Sequence, residues 1–155
     1  NKWIKDFTIK NDYKNTININ IVESIPIGIY FNGEDNLLFD KNGEVIDFLN
    51  SNYNLYFDLI IFEGNNSLFN ANIFLYLLPL TLRNEIKKAI YINNRRWDVK
   101  LRNGINIKLS EKNILDSFNN YDKFYKNVSS QELAEIEMID LRIPKQIIIK
   151  FKAIK

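Results

Sequence analysis

The sequence predicts an α+β fold, and three observations carry that expectation. Short runs alternating apolar and polar residues recur along the chain and meet across loops containing Gly or Pro, as strands of β-hairpins do. Two longer stretches between them change period and read as helices. Hydrophobic residues fill 46% of the 155 positions, enough for a core in one domain or a domain plus a fragment of another.

Taken in order, Thr16 to Val22 alternates strictly, with Ile17, Ile19 and Ile21 on one face of a half-buried strand. Pro26 ends it, and Ile27 to Phe31 reads as a second strand bounded by Asn32-Gly33. Leu37 to Phe39 and Val45-Ile46 flank Lys41-Asn42-Gly43, a loop that sets Phe39 opposite Val45. Asn50 to Asn54 reads as an exposed loop, and Leu59 to Phe62 as a brief apolar strand before Gly64. Ser67 is the expected N-cap of a buried helix, Leu68 to Leu78, stopped by Pro79. Leu82 to Ile90 fits strand or helix, with Arg83-Asn84-Glu85 and Lys87-Lys88 favouring a polar helical turn.

Trp97, Val99 and Leu101 then alternate with polar residues, as do Ile105, Ile107 and Leu109. A two-residue Asn103-Gly104 turn would put these apolar rows on opposite faces. A three-residue loop, Arg102-Asn103-Gly104, pairs Leu101 with Ile105, Val99 with Ile107 and Trp97 with Leu109, because directly opposed residues share a face. That loop requires Gly104 in the left-handed conformation. Ser110 caps an expected helix from Glu111 to about Phe124, with Ile114, Leu115, Phe118 and Tyr121 on its apolar side. The last hairpin, with Pro144-Lys145-Gln146 as its loop, pairs Ile143 with Ile147, Leu141 with Ile149 and Ile139 with Phe151, burying Ile147, Ile149 and Phe151 and setting Asp140 against Lys150.

Composition excludes much. The chain has no cysteine and no histidine, which removes disulfides, thiol nucleophiles, Cys-based zinc sites and the commonest general base near neutral pH. Its 21 basic and 19 acidic residues leave a net charge of +2, too little for a nucleic-acid field. No Walker A motif, nucleophile elbow or glycine-rich phosphate loop occurs. Glu132, Glu135 and Glu137 form an acidic run without a second convergent cluster, so carboxylate-based hydrolysis is not supported. Arg95-Arg96 reads as a solvated or ion-paired face, Trp97 as core, and Asp140 with Arg142 as structural. No catalytic, cofactor-binding or metal-ligating residue is assigned, and no enzyme is expected. No apolar run is long enough to cross a membrane. The first residue is Asn, which reads as the start of a fragment whose anchor lies upstream.

Four blocks carry a resemblance. Thr16-Ile17-Asn18-Ile19-Asn20-Ile21-Val22-Glu23-Ser24-Ile25-Pro26-Ile27-Gly28, Asp40-Lys41-Asn42-Gly43-Glu44-Val45-Ile46, Asn94-Arg95-Arg96-Trp97-Asp98-Val99-Lys100-Leu101 with Asn103-Gly104-Ile105, and Ile139-Asp140-Leu141-Arg142-Ile143 stand in the order and spacing of the FtsQ/DivIB family of bacterial cell-division proteins. The resemblance implies residues 1–31 as the C-terminal part of a POTRA module and residues 32–155 as a β-domain. That domain is a curved antiparallel sheet with helices on one face. It further implies a single-pass inner-membrane protein with this region in the periplasm, a non-enzymatic divisome scaffold that binds FtsB and FtsL. FtsB adds a strand to the family's last strand, which here is Gln146 to Lys152. The implied partner-binding positions are Ile143, Gln146, Ile147, Ile148, Ile149, Lys150, Phe151 and Lys152. Ile143 and Phe151 stand where many relatives carry Tyr and Trp. An unpaired strand edge supports the same use physically, since its free N–H and C=O groups template an added strand; the burial expected of the Ile147 row leaves Ile148, Lys150 and Lys152 on the exposed face. A POTRA-type polypeptide-binding chaperone of a secretion or outer-membrane assembly system is the alternative, with a cell-wall hydrolase third.

Overall fold

The computed structural model describes residues 1–11, 15–49 and 55–153. Strands β1 (Ile4–Asn11) and β2 (Ile17–Glu23) pair antiparallel in a sheet of their own. The alternation of Ile17, Ile19 and Ile21 forms the expected strand, but these residues are exposed rather than half-buried, since no other described element covers their face. β1 extends the same pattern: Phe7 stands opposite Ile21 and Ile9 opposite Ile19, so one face of this ribbon is apolar.

The other strands form one nine-stranded sheet among the described residues, in the order β11-β10-β9-β8-β7-β6-β3-β4-β5. It begins with the meander β3 (Gly28–Phe31), β4 (Asn36–Phe39) and β5 (Val45–Phe48). Phe39 pairs with Val45 as the loop length demands. Asp40 closes that loop, its carboxylate accepting from the amides of Asn42 at 2.9 Å and Glu44 at 3.0 Å. Gly28 has a packing reason: a Cβ there would stand 2.8 Å from the rings of both Phe39 and Phe62, which are fully buried.

β6 (Ile61–Glu63) lies parallel to β3 and to β7 (Ile86–Ile92). The β6–β7 crossover carries α1 (Ser67–Leu77) and α2 (Leu80–Arg83). Residues 82–90 are thus largely strand, because Ile86 and Ala89 fill a slot between β6 and β8 (Arg96–Leu101) that a helical turn cannot. Asn66, in left-handed backbone with φ 60°, stands at the N-cap of α1 without a side-chain cap bond. Ser67, the expected cap, is instead fully buried one position later, and its hydroxyl has no hydrogen-bond partner.

The hairpin of β8 and β9 (Asn106–Lys108) takes the anticipated register. Val99 faces Ile107, Leu101 N donates to Ile105 O at 2.8 Å, and Leu109 N to Trp97 O at 3.1 Å. Gly104 adopts φ 94°, the left-handed turn residue the loop requires. A second crossover from β9 to its parallel neighbour β10 (Ile136–Asp140) carries α3 (Ile114–Tyr125) and α4 (Ser130–Glu135). α3 is capped by Asn113, whose side chain accepts from Asp116 N at 3.2 Å, rather than by Ser110. The short α4 is set by a capping box: Ser129 Oγ accepts from Glu132 N at 3.2 Å, and Glu132 reaches back to Ser129 N at 3.0 Å.

The sheet is largely antiparallel, with three parallel contacts at β3–β6, β6–β7 and β9–β10. Both helical crossovers pack on one face. Phe74 of α1 and Phe118 of α3 meet at 6.2 Å, and Phe74 lies 4.8 Å from Trp97 on β8. Trp97, Val99, Leu101, Ile107 and Ile139 extend this core along the sheet. A smaller cluster of Ile29, Leu38 and Ile46 occupies the other face under Trp3, Tyr56 and Leu59. Trp3 Nε1 donates to Asp47 Oδ2 at 2.9 Å and Lys5 reaches Asp40 at 3.6 Å, tying the β1–β2 ribbon to the β3–β5 meander. The expected loop at 50–54 lies outside the described residues.

Candidate protein-binding edge

β11 (Ile148–Phe151) ends the large sheet, paired with β10 on one side only. Its register corrects the expected one. Ile149 faces Ile139, Ile148 faces Asp140 and Lys150 faces Met138, two residues away from the tight hairpin. Arg142 explains the shift. The tight hairpin would set it opposite Ile148 with its amide toward β11, but that amide donates to Asp140 Oδ1 at 3.1 Å, so the ladder ends at Asp140. Leu141 stays with the sheet on the β9 side, its N–H donating to Lys108 O at 2.9 Å and its carbonyl accepting from the buried Ser117 Oγ at 3.2 Å, and the chain turns through Ile143 to Gln146 with Lys145 at φ 61°. A shift of two residues preserves which face each side chain takes. Ile147 and Ile149 therefore still lean on the core, though only half-buried. Phe151, expected to be buried, is 54% exposed, and Ile143 in the loop is 46% exposed.

The expected Asp140–Lys150 pair does not form, because the two residues are no longer opposite. Asp140 binds the Arg142 guanidinium at 2.6 Å, and Lys150 reaches Glu137 at 2.8 Å. Burial pushes the Asp140 carboxyl up, but hydrogen bonds from the Arg142 side chain and amide, with the charges of Arg142 and Lys108, outweigh it and hold the group below the usual carboxylate range. Lys152 Nζ donates to Ala134 O at 2.6 Å. Both lysines of the edge are thus engaged within their own chain, Lys150 by Glu137 of β10 and Lys152 by Ala134 of α4. Of the remaining candidate positions, Gln146 is exposed in the loop and Ile148 is 48% exposed on the face away from the helices.

Main-chain direction along β11 follows from two bonds. Lys152 N donates to Glu135 O at 2.8 Å, and Leu141 N to Lys108 O at 2.9 Å. Alternation along each strand then turns the amides of Ile148, Lys150 and Lys152 toward β10 and those of Ile149 and Phe151 toward the open side. Beside this row, on the helical face, lies a groove of about 360 Å³ lined by Phe124, Val128 and Ile147 and rimmed by Lys123, Asn127 and Glu132.

The other sequence candidates are accounted for structurally. Arg95 pairs with Glu111 at 3.5 Å and Arg96 with Asp98 at 3.2 Å, while Trp97 is buried. Glu132 caps α4 and Glu137 binds Lys150, so the acidic run does not converge. No group of acidic residues able to hold a metal occurs among the described residues, and no described helix is long and apolar enough to cross a membrane. The outward amides of Ile149 and Phe151 and the flanking groove were not legible in the sequence, since both depend on how β10 is shared between β9 and β11.

The family model described as "Cell division protein FtsQ/DivIB, C-terminal" matches residues 29–142, from β3 to the residue that pairs with Asp140. Proteins named "Cell division protein FtsQ" are similar. That of Rhizobium radiobacter is 32% identical over 114 residues, 72% of this chain and 53% of the relative. That of Rickettsia felis is 31% identical over 132 residues, 81% of this chain and 47% of the relative. That of Rickettsia bellii is 29% identical over 148 residues, covering 90% of this chain and 53% of the relative. The chain spans about half the length of these relatives. With the matched segment holding eight of the nine strands of the large sheet and both helical crossovers, the chain belongs to the FtsQ/DivIB family of cell division proteins.

Proposed function

We propose that this chain is extracytoplasmic, part of a single-pass inner-membrane scaffold of the division machinery, and that it works by binding rather than catalysis. Residues 1–31 serve as the C-terminal part of a POTRA module and residues 32–155 as the partner-binding β-domain. The partner is the FtsB–FtsL pair, with FtsB adding a strand antiparallel to β11. The observation that carries this reading is the open main chain of Ile149 and Phe151 at the end of the sheet. Hydrogen bonds to that edge supply affinity, and side chains alternating along the added strand supply specificity. On the helical face those side chains meet half-buried Ile149, exposed Phe151 and the Phe124–Val128–Ile147 groove. Ile148, with Lys150 already held by Glu137, offers a flatter contact on the opposite face.

Hydrogen–deuterium exchange in the presence of an FtsB extracytoplasmic peptide tests this directly. The amides of Ile149 and Phe151 should gain protection on binding, while those of Ile148 and Lys150, already bonded to β10, should change little. Protection that spares Ile149 and Phe151 and appears elsewhere rejects the edge.

A further inference from the structure

The two ends of the large sheet differ in what covers their outer main chain. At β11 the amides of Ile149 and Phe151 face the open side, and among the described residues no side chain takes either of them. At the other end β5 pairs with β4 alone among the described residues. Its main-chain direction follows from bonds at both of its ends. Asp40 N donates to Glu44 O at 2.9 Å, and Leu49 N donates to Asn36 O at 2.8 Å. Between them the pairing slips by one residue at Ile46, a bulge in β5. Alternation from each end then turns the main chain of Val45 and of Phe48 outward.

Both outward positions are occupied from within the chain. Val45 opens into a cleft of about 410 Å³ whose opposite wall is Lys2, Ile4, Lys5 and Ser24, at the base of the β1–β2 ribbon. The Phe48 amide donates to Oδ1 of the neighbouring Asp47 at 2.8 Å. Asp47 Oδ2 accepts from Trp3 Nε1 at 2.9 Å, and the half-buried Trp3 ring packs with Ile29, Leu38 and Ile46, so the carboxylate is held from a second side. The Trp3 and Phe48 hydrogen bonds, with the charge of Lys2, keep the Asp47 carboxyl below the usual carboxylate range. The same arrangement stands in β1. Its pairing slips at Lys5, and the amide of Phe7 donates to Asp6 Oδ1 at 2.8 Å. In each strand a bulge is followed by Asp-Phe, and the Asp carboxylate takes the Phe amide.

A sheet open at both ends can pair β5 of one copy with β11 of the next, a head-to-tail contact that does not close and so strings molecules together. An edge kept open for a partner strand cannot itself be blocked, so the closure has to lie at the opposite end. We propose that Asp47, braced by Trp3, is a guard that closes the β5 end of the sheet to strand addition and confines it to β11. The choice of β11 as the open end rests on the strand-addition reading above; the closure of β5 does not.

Nuclear magnetic resonance of the wild-type chain reads the guard directly. The Phe48 amide and the Trp3 indole N–H should shift together as Asp47 titrates, with a midpoint below the ordinary carboxylate value of about 3.9. Asp47→Ala leaves the Trp3 ring on its apolar seat, so urea denaturation should show a folded chain. In sedimentation equilibrium that variant should self-associate at least about tenfold more tightly than wild type. An FtsB peptide, which occupies β11, should reverse the association. Adding Phe48→Pro should abolish it, because proline deletes the outward donor and spares the β4 ladder. A Trp3 indole that ignores the carboxylate titration overturns the guard, whatever the variants do. So does a folded Asp47→Ala chain that associates no more than wild type up to about 1 mM, a range where even weak contacts populate, and so does association that survives Phe48→Pro. Association that Phe48→Pro abolishes but the FtsB peptide leaves untouched upholds the guard and rejects β11 as the open end.

Discussion

Proline at position 149 separates the open edge of β11 from its folded side. The Ile149 amide points away from β10, so Ile149→Pro leaves the intramolecular ladder intact, and proline is tolerated on edge strands. The amides and carbonyls of Ile149 and Phe151 together offer four main-chain hydrogen bonds to an added strand, about 4 kcal/mol net at roughly 1 kcal/mol each. Proline deletes one donor and leaves a partner carbonyl without its bond, a loss of about 1–3 kcal/mol. Titration of a labelled FtsB peptide, read by fluorescence anisotropy, should therefore show Kd rising roughly 5- to 150-fold, with the melting temperature of the chain changing little. Ile148→Pro is the control. Its amide faces β10 and pairs opposite Asp140, so it should lower the melting temperature first. Unchanged affinity for a folded Ile149→Pro variant refutes strand addition at β11. Equal destabilisation by both prolines refutes the assigned direction of the main chain.

Three further outcomes follow from the packing. Gly28→Ala places a methyl 2.8 Å from the buried rings of Phe39 and Phe62 and should cost about 1–3 kcal/mol in urea denaturation. Ser67→Ala removes a buried hydroxyl that has no partner, and should be neutral or stabilising by up to about 1–3 kcal/mol in the same assay. Asp140 has its pKa lowered in the folded state, so its contribution is complete above the unfolded carboxylate value of about 3.9 and is lost as pH falls through the lower folded value. Thermal denaturation of Asp140→Asn should accordingly differ from wild type at neutral pH and converge with it in strong acid.

The β8–β9 register was legible because parity left one choice: any loop of even length would have split Trp97, Val99 and Leu101 from Ile105, Ile107 and Leu109. The β4–β5 loop obeyed the same rule. The last hairpin shows where that rule ends. Parity cannot distinguish registers two residues apart, and the decision fell to the Asp140 side chain, which takes the Arg142 amide that the tight hairpin would have turned toward β11.

By itself the sequence determined the α+β class, most of the strands, the two long helices, the buried rows of β8 and β9, the absence of cysteine and histidine, and the family. These rest on local periodicity and residue type, which act over a few neighbours. Tertiary structure decided that residues 86–92 are a central strand, that the two crossovers run between parallel strands, and which amides of β11 face outward. Each of those depends on what packs against a segment, and burial against a distant partner outweighs the few tenths of a kcal/mol per residue by which local propensities differ.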